Sequence, residues 1–191
     1  MSEVWKNIAT VLIGQLPFLI CATWVIPSQW KKMKSAFTEW DRYKNFWVPI
    51  LLLSLFNLLI ALLFLSRERI NPKIITLYSQ LSPAGLFFLA CIVAPIAEEC
   101  FFRYLIFANF KKNNLFPYLL SAVSFILIHF NYFEFSLVGL LSLISLYLPL
   151  TVYLIFVYYL SDWNLTFPIV VHFLNNLIVF ITLISKLWSP N

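Results

Sequence analysis

Apolar residues fill long stretches of this chain, and its polar residues are gathered into a few short breaks. Residues 8–26 form a first apolar run, interrupted by Gly14 and Pro17. Further runs cover residues 46–65, 84–110, about 117–133 and 167–187, each close to the ~20 residues that cross a hydrocarbon layer. Residues 135–160 are also apolar, but Pro149 divides them. They read either as one kinked span or as a short re-entrant helix followed by a full one. Between the runs, residues 27–45 read as an amphipathic loop with Trp30 and Trp40 as interface anchors. Residues 66–73 read as a polar connection, 74–82 as a short interfacial helix and 161–166 as a turn. The pattern predicts an all-α, polytopic membrane helix bundle of about six transmembrane helices. It is a single domain over 1–191, with the polar motifs in a core of about 83–187. The first run is too long for a signal peptide and lacks a small-residue cleavage site, so it reads as a span.

Composition sharpens the class. Of the 191 residues 62% are hydrophobic and 11% charged, against about 25% charged in soluble domains. That excludes a soluble enzyme. The net charge of +5 suits lipid headgroups and cytoplasmic loops. No basic stripe alternates with aromatics in a polar setting, so nucleic acid is not a partner. Lys31, Lys32, Lys34, Arg42, Lys44, Lys111 and Lys112 fall in loops 27–45 and 111–114, whereas Lys6, Arg67, Arg69 and Lys73 fall in the others. This bias favours an N-terminus outside and the two richer loops in the cytoplasm. Cys21, Cys91 and Cys100 lie in apolar runs without ligand spacing and read as small buried hydrophobes.

The chemistry concentrates in Glu98-Glu99-Cys100-Phe101-Phe102-Arg103, set inside an otherwise apolar run. Each charge placed mid-membrane costs roughly 2.5–3.5 kcal/mol on insertion scales, which marks such residues as functional. Glu99 and Arg103 are four apart and can pair, while Glu98 lies about 100° round the helix and can point elsewhere. Pro95, one turn earlier, should bend the helix and free a carbonyl. The chain's two histidines, His129 and His172, also sit in apolar runs. Phe125 and His129 share a face at i, i+4, as do His172 and Asn176. Placing all of these groups away from lipid is most economical in one shared polar cavity. A carboxylate and a histidine can position and deprotonate water, and a histidine with an amide can stabilise an oxyanion. That is the equipment of a hydrolase without a covalent nucleophile. The ligand types also leave a divalent metal such as zinc open, with Glu98, His129 and His172 as three ligands. A transporter would show repeated halves, and none is visible.

These motifs carry a resemblance. Glu98 to Arg103 (EECFFR) matches EExxxR, Phe125 to His129 matches FxxxH, and His172 to Asn176 matches HxxxN, in the order found in the CAAX protease and bacteriocin-processing (CPBP, or Abi) family. The chain also resembles the CAAX prenyl endopeptidase of that group, over about residues 83–180. The resemblance implies an intramembrane endopeptidase in a bacterial cell membrane, acting on a membrane-associated or lipidated peptide or protein. It implies that Glu98 activates water with His129 assisting, and that His172 and Asn176 stabilise the oxyanion. Glu99 and Arg103 are implied as a supporting pair. Family members associated with bacteriocin self-immunity give a second reading, a peptide-binding membrane protein without catalysis.

Overall fold

The computed structural model describes residues 3–65, 81–110, 114–130 and 136–187. Among them the chain forms six helices and no strand. These are α1 (Glu3–Thr38), α2 (Trp40–Leu65), α3 (Pro83–Asn109), α4 (Phe116–Ile128), α5 (Leu137–Leu160) and α6 (Thr166–Leu187). The polar connection 66–73 and most of the segment 74–82 lie outside the described residues. Ser82 caps α3, its hydroxyl accepting from the Gly85 N–H, which satisfies one of the donors that a helix start leaves unpaired.

The exposed surface is apolar, and the buried core, itself largely apolar, shelters a cluster of polar and charged side chains that hydrocarbon would not solvate. Ile13, Trp24, Leu52, Leu55, Leu141 and Ile181 are exposed, whereas Glu98, Glu99, Arg103, Ser121, Thr151 and His172 are buried. Helices α3, α5 and α6 are each long and apolar enough to cross a membrane. The chain is an all-α integral membrane protein.

Three features differ from the sequence expectation. Residues 27–38 are helical rather than a loop, because α1 runs unbroken through Pro17 and Pro27 for 36 residues. At 1.5 Å per residue that is about 54 Å, well beyond the ~30 Å hydrocarbon core, so its basic end extends past the layer. Next, α4 stops at Ile128 after 13 residues, about 20 Å, instead of continuing to 133. Within the stretch 135–160, Leu137–Leu160 forms one helix, α5, with Pro149 inside it.

The far end of α1 is latched to the turn between α5 and α6. Asn164 Nδ2 donates to the Lys32 carbonyl at 2.7 Å, and Thr166 Oγ1 donates to the Met33 carbonyl at 2.8 Å. Arg42 reaches across to Asp162 at 2.9 Å. The turn is tight, with Asp162 and Trp163 at φ 56° and 61°, a left-handed conformation that non-glycine residues rarely adopt. Trp163 in turn packs on Phe107 near the end of α3, with ring centroids 5.4 Å apart. The C-terminal part of α3 therefore packs at the same end of the bundle as this latch.

Candidate active site inside the helix bundle

The site is built on α3, whose ladder is not regular. Two π-helical segments, Phe88–Val93 and Cys100–Leu105, bracket the α-helical turn Ala94–Glu99. Wide turns of this kind recur at functional sites. The helix stays continuous through Pro95, and the local bonding shows how. The Ala94 N–H bonds to Leu89 O rather than to Ala90 O. Proline at 95 has no N–H to offer the Ala90 carbonyl in its place. That carbonyl accepts instead from Asn176 Nδ2 on α6, at 2.8 Å. The second wide turn repeats the device. The Ile106 N–H reaches Arg103 O and Phe101 O, and the intervening Phe102 carbonyl accepts from Ser121 Oγ on α4 at 2.8 Å. Each irregular turn thus gives a backbone acceptor to a neighbouring helix.

The freed carbonyl makes a coupled prediction. Asn176→Ala should orphan the Ala90 carbonyl and cost about 1–3 kcal/mol, the usual penalty for a buried unsatisfied group. Pro95→Ala supplies an N–H nearby, so the double variant should lose less stability than the two single losses summed. Thermal melts of the four proteins in detergent measure this. Strict additivity would mean that Pro95 does not release the carbonyl.

At the centre, Glu99 has a hydrogen bond on one oxygen and a close ion pair on the other. Arg103 Nε lies 3.0 Å from its Oε2, and both side chains are fully buried. His172 Nδ1 lies 2.9 Å from its Oε1, and since a carboxylate only accepts, that nitrogen carries the proton. The Arg103 guanidinium also sits 4.7 Å over the Phe125 ring and places Nη2 3.4 Å from Thr151 Oγ1. An arginine in this setting is neutralised on one side by Glu99 and faced by a π-cloud on another.

Glu98 is held differently. It is 4% exposed, and its Oε2 has no hydrogen-bond partner. The nearest charged partner is His172 Nε2, at 3.9 Å. From α1, the side-chain amide of Gln15 comes within hydrogen-bonding reach of Glu98. Two adjacent carboxylates therefore occupy unlike environments, one with Arg103 and His172 within 3.0 Å and one no closer than 3.9 Å to an ion-pair partner.

His129 caps the C-terminus of α4 and is buried. Its Nδ1 lies 2.7 Å from the Phe125 carbonyl, so that nitrogen carries the proton and donates. The ring stacks on Tyr147 at 4.1 Å. Phe125 touches both imidazoles, at 4.9 Å from His129 and 5.6 Å from His172. The structure thus gathers Glu98, Glu99, Arg103, Phe125, His129 and His172 into one buried cluster, with Asn176 one turn along α6 from His172. His172, rather than His129, is the imidazole beside Glu98.

Sequence reasoning passed over Gln15, Tyr147 and Thr151. Gln15 carried a usable signal, a lone amide in an apolar run. Tyr147 and Thr151 lie among ordinary residues of an apolar helix and carried none. Among the described residues, no three His, Cys, Asp or Glu side chains converge on a point that could hold a metal ion. The set Glu98, His129 and His172 does not form a ligand triad in this arrangement, and no chemical step is routed through a metal.

Residues 80–178 match the family model described as "Type II CAAX prenyl endopeptidase Rce1-like". The match spans slightly more than half of the chain and contains α3 through the Asn176 turn of α6. No curated protein and no solved structure matches the chain.

Proposed function

Because the chain belongs to the type II CAAX prenyl endopeptidase Rce1-like family, and is thereby a membrane protease of peptide or protein substrates, we propose that it cleaves a prenylated or membrane-associated peptide with a water activated at Glu98. The observation that carries this reading is the contrast between the two carboxylates. Glu99 has Arg103 and His172 within 3.0 Å, whereas Glu98 has no ion-pair partner nearer than His172 Nε2 at 3.9 Å.

The steps follow from which atoms are left over. Glu98 takes a proton from water as the oxygen attacks the scissile carbonyl carbon. His129, whose ring meets Phe125 beside His172, assists in orienting the same water. The developing oxyanion takes hydrogen bonds from Asn176, which has a second amide N–H besides the one on Ala90, and from His172 Nε2 when that nitrogen is protonated. Collapse of the tetrahedral intermediate breaks the C–N bond, and Glu98 returns the proton to the leaving amine. A carboxylate and an amine are the products, and no acyl-enzyme forms.

The test is incubation of purified protein in detergent with a farnesylated CAAX-type peptide in oxygen-18 water, read by mass spectrometry. The new carboxyl terminus should carry the label, and Cys100→Ala should turn over within about twofold of the parent. Cys100 is fully buried beside two carboxylates, which disfavours the reactive thiolate. An adduct trapped on Cys100, or loss of activity in a folded Cys100→Ala protein, would overturn the water mechanism. Loss of turnover with a chelator, restored by zinc, would replace it with a metal-held water.

A further inference from the structure

We propose that Gln15 is a substrate-contacting residue, its side-chain oxygen accepting a hydrogen bond from a backbone N–H of the bound peptide while its amide steadies Glu98. This rests on the proposed hydrolysis at Glu98. Gln15 lies on α1, outside residues 80–178 that match the family model, so nothing in the three motifs points to it.

Three observations support the assignment. First, α1 packs directly on the helix that carries the acidic pair. Phe18, one turn beyond Gln15, meets Phe101 edge-on at 5.1 Å and Phe102 at 5.5 Å. Second, the Gln15 side chain stands next to Glu98, close enough for its amide to donate to the carboxylate. Third, Gln15 Oε1 is buried and has no hydrogen-bond partner. A buried acceptor left unpaired is disfavoured, and within a bilayer there is little water to satisfy it.

The missing group must therefore be a donor that arrives at the site. A peptide entering a protease is extended, so its backbone N–H groups face the same shortage of partners in hydrocarbon that Gln15 Oε1 does. Pairing the two resolves both. Because the same amide also holds Glu98, the contact would connect substrate seating with alignment of the carboxylate that acts on water. A packing role alone would ask for neither a donor nor an acceptor at this position.

The experiment is a cycle between enzyme and substrate. The protein and its Gln15→Met variant, close in volume but without donor or acceptor, are assayed on a farnesylated CAAX-type peptide. The same pair is assayed on analogues in which single backbone amides flanking the scissile bond are replaced by esters. Gln15→Met should lower kcat/KM on the all-amide peptide by roughly 10- to 100-fold, the scale of a lost buried hydrogen bond, with an unchanged melting temperature. One ester analogue should depress the parent protein, and on that analogue Gln15→Met should cost clearly less than on the all-amide peptide. If the Met variant does not fold, Gln15→Leu takes its place in the same cycle. Effects that multiply on every analogue would overturn the proposal, as would unimpaired turnover by a folded Gln15 variant. Glu98→Gln serves as the reference. If that variant still turns over, the hydrolysis reading falls and this inference with it. If it is inactive while the Gln15 cycle is multiplicative, only the role of Gln15 is lost.

Discussion

Glu98→Gln should give a folded protein with essentially no hydrolytic activity. General base catalysis contributes about 10²- to 10⁴-fold, and an amide cannot take the proton from water. Stability should not suffer in parallel. Glu98 has no ion pair closer than the 3.9 Å approach of His172 Nε2, and its Oε2 has no hydrogen-bond partner to lose. Replacing a buried carboxyl by an isosteric amide removes a charge whose burial is unfavourable. The measurement pairs a peptide-cleavage assay with a thermal melt in detergent. A folded Glu98→Gln protein within fivefold of the parent rate would refute Glu98 as the base.

For Glu99→Gln the order reverses, and stability should fall first. The substitution strips the counter-charge from Arg103, which is fully buried, and leaves the guanidinium with Thr151 and the Phe125 face. Removing one partner of a buried pair costs about 3–5 kcal/mol. For a chain of this size that corresponds to a fall of roughly 10 °C in melting temperature. It also frees the His172 ring, because Nδ1 no longer has a carboxylate at 2.9 Å, so the remaining folded protein should be slow as well. The combination Glu99→Gln with Arg103→Met removes the orphaned cation and should recover part of the melting temperature without recovering turnover. A Glu99→Gln protein that melts within about 3 °C of the parent would show that the pair does not hold the bundle together.

The difference between these two carboxylates was legible in the sequence because it depends on spacing along one helix. Glu99 to Arg103 is an i, i+4 pair, and local geometry alone suffices to join them. The all-α class and α6 were legible for a related reason, since long apolar runs in a chain with 11% charged residues leave few other structures. What the sequence hid depends on contacts between helices. That His172 rather than His129 lies beside Glu98 depends on where α4 and α6 meet α3, and no pattern in either segment encodes it. The continuation of α1 to Thr38 was masked by its lysines, which look like a loop until the latch from Asn164 and Thr166 to its carbonyls is seen. Pro149 was ambiguous because proline disfavours a helix interior without forbidding it, and in α5 the helix continues past it.

The two wide turns of α3 also set a count that the chain must keep. A π segment accommodates a residue more than the regular ladder does, so deleting one residue within Phe88–Val93 would let the backbone relax into an ordinary α-helix. Yet a deletion at residues 91–93 would set Pro95 four residues after Ala90, where proline has no N–H to give and its ring crowds that carbonyl. The flanking turns would keep nearly their present phase, because the residue removed is the one the wide turn absorbs. Leu86, buried near the start of the helix, and Glu98 would face much the same neighbours, while the turn that presents the Ala90 carbonyl to Asn176 would be lost. The extra residue before Pro95 is thus itself part of the site.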